Sequence, residues 1–116
     1  MFQKDARGRV SVLFPNPDYN TGANPLPPVD AYTLPAAGRW YQLDEAVGLE
    51  TLYVVCAARR LEICERLQRL AQAEAVKSEV GEMLRDVQRT SVAPGPESKG
   101  HTVFVQQFDH RGRVNE

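Results

Sequence analysis

Two stretches decide the fold of this chain: GRVSVLFPN at residues 8–16 and GLETLYVV at residues 48–55. In the first, apolar side chains recur at every second position, which is the spacing of a strand with one buried face. The second continues as an apolar run on both faces and predicts a central strand over residues 50–57. Asp5 and Gly8 precede the first stretch in the manner of a hairpin turn, because glycine adopts positive φ without strain. These patterns predict an antiparallel sheet.

The segment between the two stretches is rich in proline. Residues 15–35 hold six of the eight prolines, and proline removes backbone donors and biases the preceding residue toward extended geometry. We expect an ordered loop that packs over the sheet, followed by a short strand at residues 39–43. Residues 1–57 together are predicted to form a β-rich part.

The second half of the chain changes to a helical period. Residues 58–89 carry apolar side chains at intervals of three and four, namely Leu61, Cys64, Leu67, Leu70, Ala71, Val76, Val80, Met83, Leu84 and Val87. A break is expected between Ala73 and Lys77, so this segment forms two helices or one bent helix. Its apolar stripe packs either on its own sheet or on a partner. Residues 90–100 predict a linker, and residues 101–108 predict a final strand.

The length and charge of the chain restrict its class. Its 116 residues correspond to a single domain, with a predicted α+β fold built on an antiparallel β-sheet or a sandwich-like arrangement. The 14 basic and 15 acidic side chains nearly balance, so we expect no nucleic-acid partner. No apolar run is long enough to span a bilayer, and we expect no membrane insertion. No glycine-rich phosphate loop or metal-ligand spacing is present, so no cofactor and no metal are expected.

A few side chains are candidates for chemistry. His101, Asp109 and His110 are a possible general base with its orienting carboxylate, or metal ligands, although their polar setting favours surface residues. Cys56 and Cys64 are a possible redox pair, but the spacing is not Cys-x-x-Cys and apolar packing is the preferred interpretation. We predict that the chain is not an enzyme.

Four segments in a fixed order carry a family resemblance: residues 8–16, YTLP at 32–35, WYQLD at 40–44 and residues 48–55. The chain resembles the bacterial domain of unknown function 4384, which is appended to serine/threonine kinases, caspase-like peptidases and envelope proteins. The resemblance implies a sandwich-like antiparallel domain with a helical appendage and no assigned activity, located in the cytoplasm or the cell envelope according to the parent protein. Residues 1–4 are shorter than the first strand of the family. We therefore expect the chain to begin inside the domain and to leave the edge of residues 9–14 unpaired.

The predicted function is a non-catalytic binding or regulatory module of a larger bacterial protein, with a protein or peptide as its partner. An aromatic platform beside the proline-rich loop is the candidate binding site, formed by Tyr19, Tyr32, Trp40 and Tyr41. A homo-oligomer interface is predicted at the strand edge and the helical stripe, at Val10, Val12, Phe14, Val76, Val80, Met83 and Val87. Two alternatives remain: a small hydrolase that uses His101, Asp109 or His110, and a structural, oligomer-forming protein.

Overall fold

A computed structural model of the chain describes residues 1–16, 41, 47–73, 77–93 and 100–111. The elements follow in the order β1 (Phe2–Lys4), β2 (Val10–Val12), β3 (Gly48–Ala57), α1 (Glu62–Gln72), α2 (Lys77–Arg89) and β4 (His101–His110). The four strands form one open antiparallel sheet with the order β2-β1-β3-β4. The α+β class is confirmed. The helical segment forms two helices, with the break where the apolar periodicity predicts it.

The hairpin between β1 and β2 forms at the predicted turn. Asp5 Oδ1 accepts hydrogen bonds from the backbone N–H groups of Arg7 and Arg9, each at 2.9 Å, and Gly8 takes a φ of +82°. The prediction of an unpaired edge was wrong for one side of β2, because β1 pairs with that side. Strand β1 lies between β2 and β3, and Met1 continues the pairing, since its carbonyl accepts from the Leu13 N–H at 2.8 Å. Three residues are enough to form strand β1 because it pairs with a neighbouring strand on both sides.

The core lies between the helices and one face of the sheet. Its buried cluster takes side chains from three strands and both helices: Phe2, Val10, Val12, Tyr53, Leu67, Val80 and Leu84. Met83, Leu70 and Val103 pack at its margin, and Val87 is also buried. The apolar stripe of the helical segment therefore packs on its own sheet, which is the first of the two predicted arrangements.

This packing bears on the predicted interface. Five of the seven interface candidates are buried within one chain, namely Val10, Val12, Phe14, Val80 and Val87. Met83 is half-buried, and Val76 lies outside the described residues. The side chains of these five residues are already covered by their own chain, so they offer no exposed surface to a second copy.

Strand β4 is longer than predicted and ends at His110 instead of Phe108. It pairs with β3 in one unbroken register from Gly48 opposite His110 to Ala57 opposite His101. Because β1 pairs with only three residues of β3, the β3–β4 ribbon extends beyond the short strands. Strand β4 is the outermost strand on its side of the described sheet.

Candidate binding surface

The backbone groups of β4 alternate between two directions. In an antiparallel ladder, a residue turns both its N–H and its C=O to the same side, and its neighbours turn theirs to the opposite side. The His101 carbonyl accepts from the Val92 N–H at 2.8 Å, and the Val103 N–H donates to Ser91 Oγ at 2.9 Å. The backbone N–H and C=O groups of the odd-numbered residues of β4 therefore point away from β3, and those of the even-numbered residues bond to β3.

Residues 91 and 92 cover only the first part of this outer edge. Thr102 Oγ1 strengthens the cover by donating to the Val92 carbonyl at 2.8 Å. Further along the strand, the outward residues are Val105, Gln107 and Asp109. The Gln107 carbonyl accepts from the neighbouring Gln106 side chain at 3.1 Å. No strand among the described residues pairs with this part of the edge.

The side chains along β4 are those of an unprotected edge. Folded proteins protect exposed edges with lysine, proline, bulges or short strands, whereas β4 has ten residues, an unbroken register and neither lysine nor proline. Phe104 is 51% exposed and Val105 is 41% exposed. Phe104 and Val105 lie on opposite faces, because successive side chains alternate. We call the outer edge of β4 from Phe104 to Asp109 the β4 edge.

His101 has a structural partner at the start of β4. Its Nε2 lies 2.7 Å from the Val87 carbonyl and 3.2 Å from Thr90 Oγ1. Val87 and Thr90 belong to the last turn of α2 and the residue after it, where backbone carbonyls lack helical partners. His101 thereby caps α2 and ties it to the sheet.

The predicted hydrolase residues do not come together. His101 and His110 stand at opposite ends of β4, a separation of about 30 Å for a strand of this length. Asp109 and His110 are adjacent and therefore point to opposite faces of the sheet. In the described part of the chain, no three histidine, cysteine, aspartate or glutamate side chains are grouped to hold a metal ion.

A buried polar cluster lies on the face opposite the helices. Glu50 is 0% exposed and accepts a hydrogen bond at Oε2 from the Gln3 side-chain amide at 3.1 Å. Its Oε1 lies 3.4 Å from His110 Nδ1, and the histidine side chain is 14% exposed. Neither of these two atoms makes a hydrogen bond within the described structure. The cluster therefore joins β1, β3 and β4 through side chains.

Sequence reasoning missed this cluster. The detectable signal was Glu50, the single charged residue of a strand that was predicted to be central. A carboxylate at such a position is costly unless it has polar partners. That rule predicts partners but does not name them, because Gln3 and His110 are distant in sequence.

The aromatic platform falls mostly outside the described residues. Tyr19, Tyr32 and Trp40 belong to that part of the chain. Tyr41 is half-buried, and its hydroxyl donates to the Leu13 carbonyl at 3.2 Å. This hydrogen bond ties Tyr41 to the segment that follows β2.

The two cysteines are free. Cys56 is exposed at the end of β3, and Cys64 is half-buried in α1. Burial raises the pKa of the Cys64 thiol, which makes the reactive thiolate less abundant.

The Met1 amino group lies in a desolvated position and donates to the Phe14 carbonyl at 2.7 Å. Desolvation lowers the pKa of this amine to about 6.

The sequence comparison decides the family. The family model described as Domain of unknown function (DUF4384) matches residues 1–60, which is more than half of the chain. The chain belongs to the DUF4384 family. The match spans the DUF4384 strands β1, β2 and β3, and the helices and β4 follow it. No curated protein and no solved structure matches this DUF4384 chain. Neither helix in its described part is long and apolar enough to cross a membrane.

Proposed function

We propose that the chain is a non-catalytic binding module that takes up an extended segment of another protein along the β4 edge. The observation that carries this proposal is the alternation of backbone groups in β4. It directs the N–H and C=O groups of Val105 and Asp109, and the N–H of Gln107, away from the sheet.

An extended segment fits this edge because it supplies backbone donors and acceptors at the same spacing. Each backbone hydrogen bond formed in this way contributes about 0.5–1.5 kcal/mol. The exposed side chains of Phe104 and Val105 would add apolar contacts, one on each face. The described groups favour binding over chemistry, since His101 lies at the opposite end of β4 from Asp109 and His110, and these two residues point to opposite faces of the sheet.

A structural, oligomer-forming role is the second candidate. The backbone of the same edge is compatible with it, because a second copy of β4 presents the same pattern of backbone groups. The two candidates differ in the occupant of the edge and therefore in the oligomeric state of the protein.

Amide hydrogen exchange measured by nuclear magnetic resonance tests the proposal. In the free protein, the amides of Val105, Gln107 and Asp109 should exchange quickly, and those of Phe104 and Gln106 slowly. A blocked peptide of alternating threonine and valine, seven residues long, should slow exchange at the three outward amides. The same peptide with an N-methyl group on every internal amide is the matched probe; it lacks backbone donors on both of its edges and should have no effect.

A proline substitution tests the same edge from the side of the protein. Gln107→Pro removes an outward N–H, so it should abolish peptide binding. It leaves the hydrogen bonds between β4 and β3 intact, so the protein should still unfold in a cooperative transition. Gln107→Ala keeps that N–H and should bind normally. Equal protection of odd and even amides in the free protein would overturn the proposal. So would undiminished binding of the N-methylated peptide.

A further inference from the structure

We infer that the segment bound at the β4 edge is an antiparallel strand with a basic residue opposite Asp109 and a β-branched apolar residue opposite Val105. This inference rests on the proposed function and specifies the chemistry of its partner.

The acidic position lies near the end of the edge. The Asp109 side chain is exposed, and its cross-strand neighbour in β3 is Leu49, an apolar residue that is 51% exposed. Among the described residues, no ion pair involves Asp109. A strand added to the edge would place a side chain about 5 Å from it, where an opposite charge is favourable and a like charge is not. Asp109 therefore selects a basic residue.

The apolar position lies four residues earlier. Val105 is 41% exposed and pairs across the sheet with the buried Tyr53. It lies on the same face as Asp109, because positions of equal parity share a face. A β-branched residue opposite Val105 would extend the apolar surface of this face. Phe104 and Phe108 lie on the other face and favour apolar residues at the positions that pair with them.

A second copy of β4 fits this edge poorly. A two-fold axis at Gln107 places Val105 opposite Asp109, and an axis at Asp109 places two like charges opposite each other. An axis at Phe108 pairs Val105 with Arg111. Axes closer to the start of β4 bring Asp109 against His101 or Val103, whose outward groups already bond to residues 91 and 92. An axis at His110 pairs Asp109 with Arg111, but the overlap of described residues is then only 109–111 and leaves Val105 without a partner. Each symmetric register therefore leaves a charged or apolar position unmatched, and the partner is a different strand.

The pattern defines a probe. The segment runs antiparallel to β4, so its first residue lies opposite Asp109 and its fifth lies opposite Val105. It has a basic residue first, threonine third, valine fifth and an aromatic residue sixth. The blocked peptides X-Val-Thr-Thr-Val-Tyr, with lysine, glutamine or glutamate as X, are to be titrated while the outward amides are followed by nuclear magnetic resonance. We expect the lysine peptide to bind about 3- to 10-fold more tightly than the glutamate peptide.

Charge reversal in the protein completes the test. Asp109→Lys should invert the order of the peptide affinities, so that the glutamate peptide binds more tightly than the lysine peptide. Glu62→Lys is the matched control, because it changes the net charge equally at an exposed position of α1 and should leave the order unchanged. An equal response of both variants would show a general charge effect and overturn the inference.

Two further outcomes separate this inference from the proposed function. If none of the three peptides slows exchange at the outward amides, the binding edge itself is refuted. If all three bind equally, the edge stands and the assigned partner chemistry is wrong. A dimer seen by light scattering at micromolar concentration, and dissociated by Gln107→Pro, would identify a second copy as the occupant and overturn the inference.

Discussion

The buried pair of Glu50 and His110 provides the sharpest quantitative test of the structure. The perturbation is His110→Ala, which removes the ring nitrogen that lies 3.4 Å from Glu50 Oε1. Glu50 is fully buried, and among the described residues its carboxylate would then retain only the hydrogen bond from Gln3. We expect this loss to destabilise the junction of β1, β3 and β4.

The magnitude follows from two opposing terms. When the His110 ring is protonated, opposite unit charges at 3.4 Å attract by about 5 kcal/mol at an effective dielectric constant of about 20. The desolvation of the two groups offsets much of this attraction, and breaking a buried pair costs about 3–5 kcal/mol in well-formed cases. Here the two atoms do not form a hydrogen bond, so we expect His110→Ala to lower the free energy of unfolding by about 1–3 kcal/mol.

A double-mutant cycle isolates the interaction. Glu50→Gln preserves the shape of the side chain and removes its charge, so in that background His110→Ala should cost about 1 kcal/mol or less. The free energies of unfolding of the four proteins are to be measured by urea denaturation, followed by circular dichroism in one buffer. His101→Ala is the control, because that ring contacts α2 and its cost should be the same in both backgrounds. An equal cost of His110→Ala in the unaltered protein and in the Glu50→Gln background would refute the reasoning.

Three other predictions concern stability, each measured as a free energy of unfolding. Leu67→Ala, at a fully buried core position, should cost about 2–5 kcal/mol, whereas the exposed Ile63→Ala should cost less than about 1 kcal/mol; equal costs would contradict the assigned core. The Met1 amine, whose pKa is lowered to about 6 from 8.0, binds a proton more readily in the unfolded chain, so stability should fall by about 2 kcal/mol as the pH drops from 8 to 6. N-terminal acetylation should remove that part of the slope, and an unchanged slope would show that the amine is not desolvated. Gly8→Ala should destabilise by about 1 kcal/mol, since φ is +82° there, and Gly81→Ala should stabilise by up to about 1 kcal/mol, since a methyl group meets nothing within 4 Å in α2. Effects of the same sign at both glycines would contradict this assignment.

Local patterns in the sequence predicted the elements that depend on near neighbours. The Asp5 and Gly8 turn, the alternation in β2 and β4, and the helical break before Lys77 each depend on backbone geometry within a few residues, so they were visible without tertiary information. The family was visible for the same reason, since its ordered segments lie in the first half of the chain. The aromatic platform remains a prediction, because three of its four residues lie outside the described part.

Tertiary structure decided which surfaces are available. The periodicity that marks Val10, Val80 and Val87 as apolar is the same for a core and for an interface, and only the packing of both helices on the sheet covers them. Strand order likewise depends on long-range pairing, which places β1 inside the sheet and β4 at its edge. The sequence by itself determined the alternation of β4 and the unusual acidic residue Glu50. The direction of the outward backbone groups and the approach of Gln3 and His110 to Glu50 came only from the register between distant strands, because no local pattern records which strand lies beside which.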